Sequence, residues 1–236
     1  MTTSDSPAAH HDAIGDDLDV EALLFDLDGT LIDSTRATES CWQEWSHRMG
    51  LGDHGQHPHG VPARDVVAQR IEPARRSEAL ALIEALEVEQ KEGITIKDGV
   101  AELLAALPSS RWAIVTSCTA ELAALRLAVA GIEAPTVLIS ADSVAHGKPD
   151  PEGYLAAAAS LGVDPQRTVV FEDAPAGVEA GRAAGAWTLG ITGTYDAGSL
   201  AASKIVETLE GITVAVAAGD AGLRLGFPTA DEPAGD

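Results

Sequence analysis

Residues 25–34 read Phe25-Asp26-Leu27-Asp28-Gly29-Thr30-Leu31-Ile32-Asp33-Ser34, two carboxylates one residue apart at the end of an apolar run, with a glycine directly after them. A short strand from Val20 to Phe25 would deliver Asp26 and Asp28 to the carboxyl edge of a parallel α/β sheet, where such sheets hold ligands, with Leu27 facing the interior. A carboxylate at that edge can attack a phosphorus centre if a divalent cation lowers the repulsion. A second carboxyl nearby can then pass a proton to the leaving oxygen and later activate water. Gly29 permits a tight turn beside a bulky anion, and Thr30 offers it a hydroxyl and a backbone N–H. A charged strand end with an Asp-Gly turn accounts for Asp28-Gly29 but not for the whole string.

Working outward, short β-branched runs alternate with alanine-rich stretches. Strands are predicted near 20–25, 112–116, 136–140, 168–172 and 186–191, and helices near 98–107, 120–130, 151–161 and 175–184. That alternation is the pattern of a doubly wound α/β fold, a parallel sheet with helices on both faces. Residues 36–95 break it, with helical material over Ala37–Met49, Pro62–Arg70 and Pro73–Glu92 and no convincing strand. The expected organisation is a core over 19–35 and 96–226, a helical insertion over 36–95 with hinges near Asp33–Arg36 and Thr95–Gly99, and disordered tails at 1–18 and 227–236. Arg75, Arg76 and the acids Glu84, Glu87, Glu89 and Glu92 are expected to form a solvated helix face.

The opening string resembles the first motif, DxDGT, of the haloacid dehalogenase superfamily, and three further segments follow in that family's order. Trp112-Ala113-Ile114-Val115 ends in the hydroxyl pair Thr116-Ser117, His146-Gly147-Lys148-Pro149-Asp150-Pro151 frames one lysine, and Thr168-Val169-Val170-Phe171-Glu172-Asp173 ends in two acids before Ala174-Pro175-Ala176-Gly177. The resemblance implies a Rossmann-like core with an inserted α-helical cap over 36–95 that closes over the site. It makes Asp26 the nucleophile, Asp28 the acid and base, and Lys148 the cation bridging nucleophile and phosphate. Thr30, Thr116, Ser117 and Lys148 become phosphate-binding residues. It also implies Mg2+, which prefers oxygen ligands and takes only one or two protein carboxylates. Asp26 and Asp173 would supply these, Asp28 would add its backbone carbonyl, and Glu172 would be a second ligand or an outer-shell acceptor.

Within the insertion, His59-Gly60 followed by Arg64-Asp65 resembles the cap motif of the sugar phosphatase and glycerol-phosphate phosphatase branch, which makes His59, Gly60 and Arg64 specificity residues. With His54 and His57 nearby, a transition-metal site is a weaker reading, because no cysteine or carboxylate arrangement completes it. Asp28 argues against a dehalogenase, and the absence of a lysine before Lys91 in the insertion argues against a phosphonate hydrolase. The implied activity is Mg-dependent hydrolysis of a small sugar or polyol phosphomonoester through an aspartyl-phosphate. The alternatives are a phosphosugar mutase of the β-phosphoglucomutase type and a non-catalytic phosphometabolite-binding protein.

Composition narrows the partners. The chain has 236 residues, 37 acids against 15 bases and a formal net charge of −22, so no basic patch is available for nucleic acid. No run of eighteen apolar residues or apolar leader occurs, so no membrane partner is expected and the location is expected to be cytoplasmic. Cys41 and Cys118 lie far apart and give no disulfide framework. The expected partner is a small phosphorylated sugar or polyol, with the chain a monomer or weak dimer.

Overall fold

Consecutive buried residues, not alternating ones, mark the central strands. Leu23, Leu24 and Phe25 are all buried, as are Ala113, Ile114 and Val115 and every residue of Thr168–Glu172, because helices cover both faces of a parallel sheet. In a computed structural model describing residues 13–52, 59–217 and 222–228, the strands are β1 (Asp17–Val20), β2 (Ala22–Phe25), β3 (Ile32–Asp33), β4 (Thr95–Ile96), β5 (Trp112–Val115), β6 (Leu138–Ile139), β7 (Thr168–Glu172), β8 (Trp187–Ile191), β9 (Lys204–Val206), β10 (Thr213–Val216) and β11 (Leu223–Gly226). The helices are α1 (Thr35–Met49), α2 (Ala63–Arg70), α3 (Arg76–Glu89), α4 (Val100–Ala105), α5 (Ala120–Ala130), α6 (Glu152–Leu161) and α7 (Pro175–Ala183).

The main sheet has six parallel strands in the order β6-β5-β2-β7-β8-β9. The chain winds outward from β2 in one direction and then returns to build β7 on its other side. The order therefore reverses between β2 and β7, and a crevice opens beyond their carboxyl ends. On one face Leu23, Phe25, Ile114, Val169 and Phe171 pack against Leu103 of α4 and Leu122 and Leu127 of α5. On the other, Leu24, Ala113, Val115 and Val170 pack against Tyr154 and Ala157 of α6 and Ala180 of α7. Phe171 is fully buried with its ring centroid 4.6 Å from that of Phe25. Phe171→Ala is expected to cost about 3–5 kcal/mol, read as a lowered midpoint in urea unfolding.

Helices α1, α2 and α3 have a separate apolar cluster of Cys41, Trp42, Trp45, Met49, Val66, Val67, Ala79 and Ile83. Cys41, Trp42, Trp45 and Met49 follow helical spacing along one stripe of α1. Trp45 Nε1 donates to the Ala79 carbonyl at 2.7 Å, tying α1 to α3. The two chain segments linking these helices to the sheet run side by side as the antiparallel pair β3–β4, with Ile32 opposite Ile96 and Asp33 opposite Thr95.

Several expectations need correction. The strand expected over 20–25 is two strands, because Val20 pairs with Leu223 in a separate antiparallel sheet of order β1-β11-β10. The expected tail 1–18 reaches into this sheet from Asp17, and Ile14 is buried. At the other end Phe227 is buried too, its N–H bonded to the Asp16 carbonyl. Residues 1–12 and 229–236, with His54 and His57, lie outside the described residues. The solvated face expected of α3 fails at Glu87, which is buried against the core, while Glu84 lines a cavity. Arg76 is not a free surface charge either, since it donates to the carbonyls of Ile71 and Ala68. No helix among the described residues is long and apolar enough to cross a membrane, and both cysteines are free and buried.

Candidate active site

Asp26 follows β2 directly, and its N–H bonds the Phe171 carbonyl of β7 at 2.9 Å, which fixes the backbone at the reversal point of the sheet. Leu27 is fully buried, so Asp26 and Asp28 both reach the crevice while the residue between them anchors in the core. Gly29 has φ +86°, and a methyl there would overlap the Asp173 carboxylate. The glycine thus serves the turn and the close approach of β7's end at once.

Lys148 enters from the loop before α6. Its Nζ is 2.5 Å from Asp26 Oδ1, 2.6 Å from Glu172 Oε1 and 3.0 Å from the Val115 carbonyl. Burial alone would lower its pKa, but the two carboxylates more than offset that and hold it upward, so Lys148 is a permanent cation. Glu172 is fully engaged. Oε1 accepts from Lys148 and, at 2.8 Å, from Tyr154 Oη, and Oε2 accepts the backbone N–H groups of Asp173 and Ala174 at 3.2 Å. A methyl at Gly177 would overlap this carboxylate.

Asp26, Glu172 and Asp173 offer carboxylate oxygens within 4.8 Å of one another, all buried. Burial pushes the Asp26 carboxyl upward against the pull of Lys148, and the charges of Glu172 and Asp173 add to the push. Asp173 is likewise raised, by burial first and then by Glu172. Its Oδ2 is buried and has no hydrogen-bond partner among the described residues. Crowded acids with one orphaned oxygen fit a hard divalent cation, for which Asp26 and Asp173 have the open lone pairs.

Asp28 is handled differently. Its Oδ1 accepts from Ser34 Oγ and Arg126 Nη1, both at 2.6 Å, and its Oδ2 from Cys118 Sγ at 3.0 Å. Burial would raise its pKa, but Arg126 and these hydrogen bonds hold it below the usual carboxylate range. The two acids of the first motif therefore sit in opposite electrostatic settings.

A cavity of about 210 Å³ lies above them, bounded by Asp26, Asp28, Thr116 and Ser117 below and by His59, Gly60 and Glu84 above. Thr116 Oγ1 accepts from the Cys118 N–H at 3.1 Å, which leaves its own proton to donate. Ser117 Oγ donates to the Gly60 carbonyl at 2.8 Å, so the loop before α2 rests on the core. Thr30 is not in the cavity wall; it is fully buried, and its hydroxyl has no partner among the described residues. Arg64 borders the cavity, but its guanidinium donates to the Ala141 and Val144 carbonyls, so it pins α2 to the core. Burial lowers the His59 pKa, favouring a neutral ring.

Sequence reasoning did not find Arg126, Glu87, Tyr154 or Ser34. Arg126 lies in an otherwise ordinary alanine-leucine helix, and only its burial distinguishes it.

The sequence pattern of the haloacid dehalogenase-like hydrolases matches residues 20–185. The chain is 40% identical over 204 residues to hexitol phosphatase A of Escherichia coli (strain K12), covering 82% of this chain and 94% of that protein. It is 37% identical over 193 residues to glycerol-1-phosphate phosphohydrolase 2 of Saccharomyces cerevisiae, covering 76% and 77%. Among solved structures it resembles a hydrolase from Pseudomonas syringae, with a TM-score of 0.71, 26% identity and coverage of 80% and 94%.

Proposed function

The chain belongs to the haloacid dehalogenase-like hydrolase family, and from that premise we propose that it is a magnesium-dependent phosphatase acting on a small sugar or polyol phosphomonoester. The observation that carries this reading is the division of the first motif. Asp26 sits against Lys148 among acids that fit a cation, while Asp28, one residue on, is held apart by Arg126 and Ser34. Nucleophile and proton carrier are thereby separated in place and given different partners. Asp26, Asp173 and the Asp28 carbonyl would hold magnesium, which would neutralise phosphate charge.

Asp26 attacks the phosphorus, and Asp28, which takes up a proton as the phosphate dianion enters beside it, protonates the departing alcohol and then takes a proton from the water that cleaves the aspartyl-phosphate. Lys148 and Thr116 hold phosphoryl oxygens, joined by Ser117 once its hydroxyl turns from the Gly60 carbonyl, so positioning and charge stabilisation supply most of the acceleration. Glu172 acts as an outer acceptor that aims Lys148. Helices α1–α3 act as the cap that excludes water, and His59 and Gly60 sit where a substrate hydroxyl would lie. The cavity of about 210 Å³ is smaller than the roughly 300–1,000 Å³ of drug-sized pockets, which suits one monosaccharide or polyol phosphate. Both phosphatase relatives named above agree with that substrate class.

Phosphate release from hexitol phosphates, hexose 6-phosphates and glycerol phosphate tests the reading. Turnover is expected to need magnesium, to vanish in EDTA and to return on adding the metal back. Phosphate that changes ring position without being released would point to a mutase, and EDTA-resistant turnover would remove the metal from the scheme.

A further inference from the structure

Arg126 belongs to none of the four motifs, yet it is buried and touches three parts of the molecule. Nη1 donates to Asp28 Oδ1 at 2.6 Å and to Cys118 Sγ at 3.2 Å. Nη2 donates to Thr38 Oγ1 of α1 at 3.1 Å and lies 3.7 Å from Glu87 Oε1 of α3. Burial raises the Glu87 pKa to about 7 in spite of Arg126. One guanidinium thus joins the proton-transferring carboxyl to two helices that roof the cavity, and it borders the cavity itself.

We propose that Arg126 is a positioning residue for Asp28, one that aligns this carboxyl only when α1 and α3 are seated on the core. The inference rests on the phosphatase reading above. Oδ1 of Asp28 is occupied by Arg126 and Ser34, so Oδ2, partnered only by the Cys118 thiol among the described residues, is the oxygen left to exchange a proton with the substrate. Proton transfer requires hydrogen-bond reach of the substrate oxygen, and a displacement of about 1 Å costs on the order of 100-fold in rate. A rigid fork with several donors can hold Asp28, Thr38 and Glu87 together, whereas a lysine offers a single point charge. The guanidinium contacts also make alignment depend on closure. Lifting α1 and α3 would remove Thr38 and Glu87 and leave Asp28 with a partner free to move.

The test compares steady-state kinetics of Arg126→Gln, Arg126→Lys and Asp26→Asn on the best phosphate ester, with far-UV circular dichroism as the check on folding. Arg126→Gln is expected to lose about 100-fold in kcat, about 2.7 kcal/mol of transition-state stabilisation, with KM changed less than about threefold. Arg126→Lys is expected to recover part of that loss. Folded Arg126→Gln with kcat within about threefold of wild type overturns the proposal, and so does a rise in KM that accounts for the whole loss, since that would make Arg126 a substrate-binding group. Should Arg126→Gln not fold, Arg126→Lys decides: a fall in kcat at unchanged KM supports positioning, and wild-type kcat overturns it. An active Asp26→Asn would instead overturn the underlying mechanism, which keeps the two failures distinct.

Discussion

Asp26→Asn is expected to abolish turnover while leaving the fold intact. Asparagine keeps the shape of the side chain but cannot form the acyl-phosphate bond. Loss of a nucleophile in a cooperating site costs up to about 10⁶-fold in kcat. The remaining activity should lie below detection in a phosphate-release assay, and a variant retaining more than a few per cent would remove Asp26 from the role. Stability should not fall in step. The Asp26 carboxyl is buried and its pKa is raised above the unfolded value, so in metal-free protein the ionised form costs stability as pH rises through the raised pKa. The neutral amide removes that cost. Melting in EDTA at pH 8 should therefore give a midpoint equal to or above wild type, and Lys148 keeps Glu172 as its partner.

Lys148→Ala is expected to injure both rate and fold. Its ammonium is the one cation within 2.6 Å of both Asp26 and Glu172 among the described residues. Removing a fixed charge aimed at the transition state costs roughly 10²–10³ in kcat. Breaking a buried ion pair from one side costs about 3–5 kcal/mol, a large part of the roughly 5–15 kcal/mol that holds a domain together. The pH dependence follows from the same charges. Without the lysine, Asp26 and Asp173, already pushed upward by burial, bind protons more readily in the folded than in the unfolded state. The variant should therefore regain stability relative to wild type as pH falls from 8 to 5 in EDTA. Equal stability deficits at the two pH values would mean that the acids are not facing one another as described.

The six-stranded sheet was legible because five of its strands carry β-branched or apolar runs bounded by turns, and the motif residues follow them directly. Thr168–Glu172 is the plainest case. The strand of Lys204–Val206 and the antiparallel sheet were not legible, because Lys204, Thr213 and Arg224 dilute their few apolar residues and β1 lies about 200 residues from its partner β11. The same limit applies in the site. Asp26, Asp28, Lys148 and Asp173 announce themselves at strand ends and in Gly/Pro frames. Arg126 and Glu87 sit in helices whose composition says only that they are helices, and their roles come from what lies across from them. Arg64, at the start of α2, borders the cavity as the motif suggests, while its hydrogen bonds to backbone carbonyls could not be read from the sequence.

The pairing of β1 with β11 has a consequence for how the chain is made. About 200 residues separate Val20 from its partner Leu223. At roughly 5–20 residues per second of synthesis, that gap lasts on the order of 10–40 seconds, during which β1 is out of the ribosome with nothing to pair with. The segment leading into the strand before Asp26 is thus made long before its own pairing is complete. Nascent chains stalled before Leu223 should be open to proteases at Asp17–Val20 and closed once β11 has emerged.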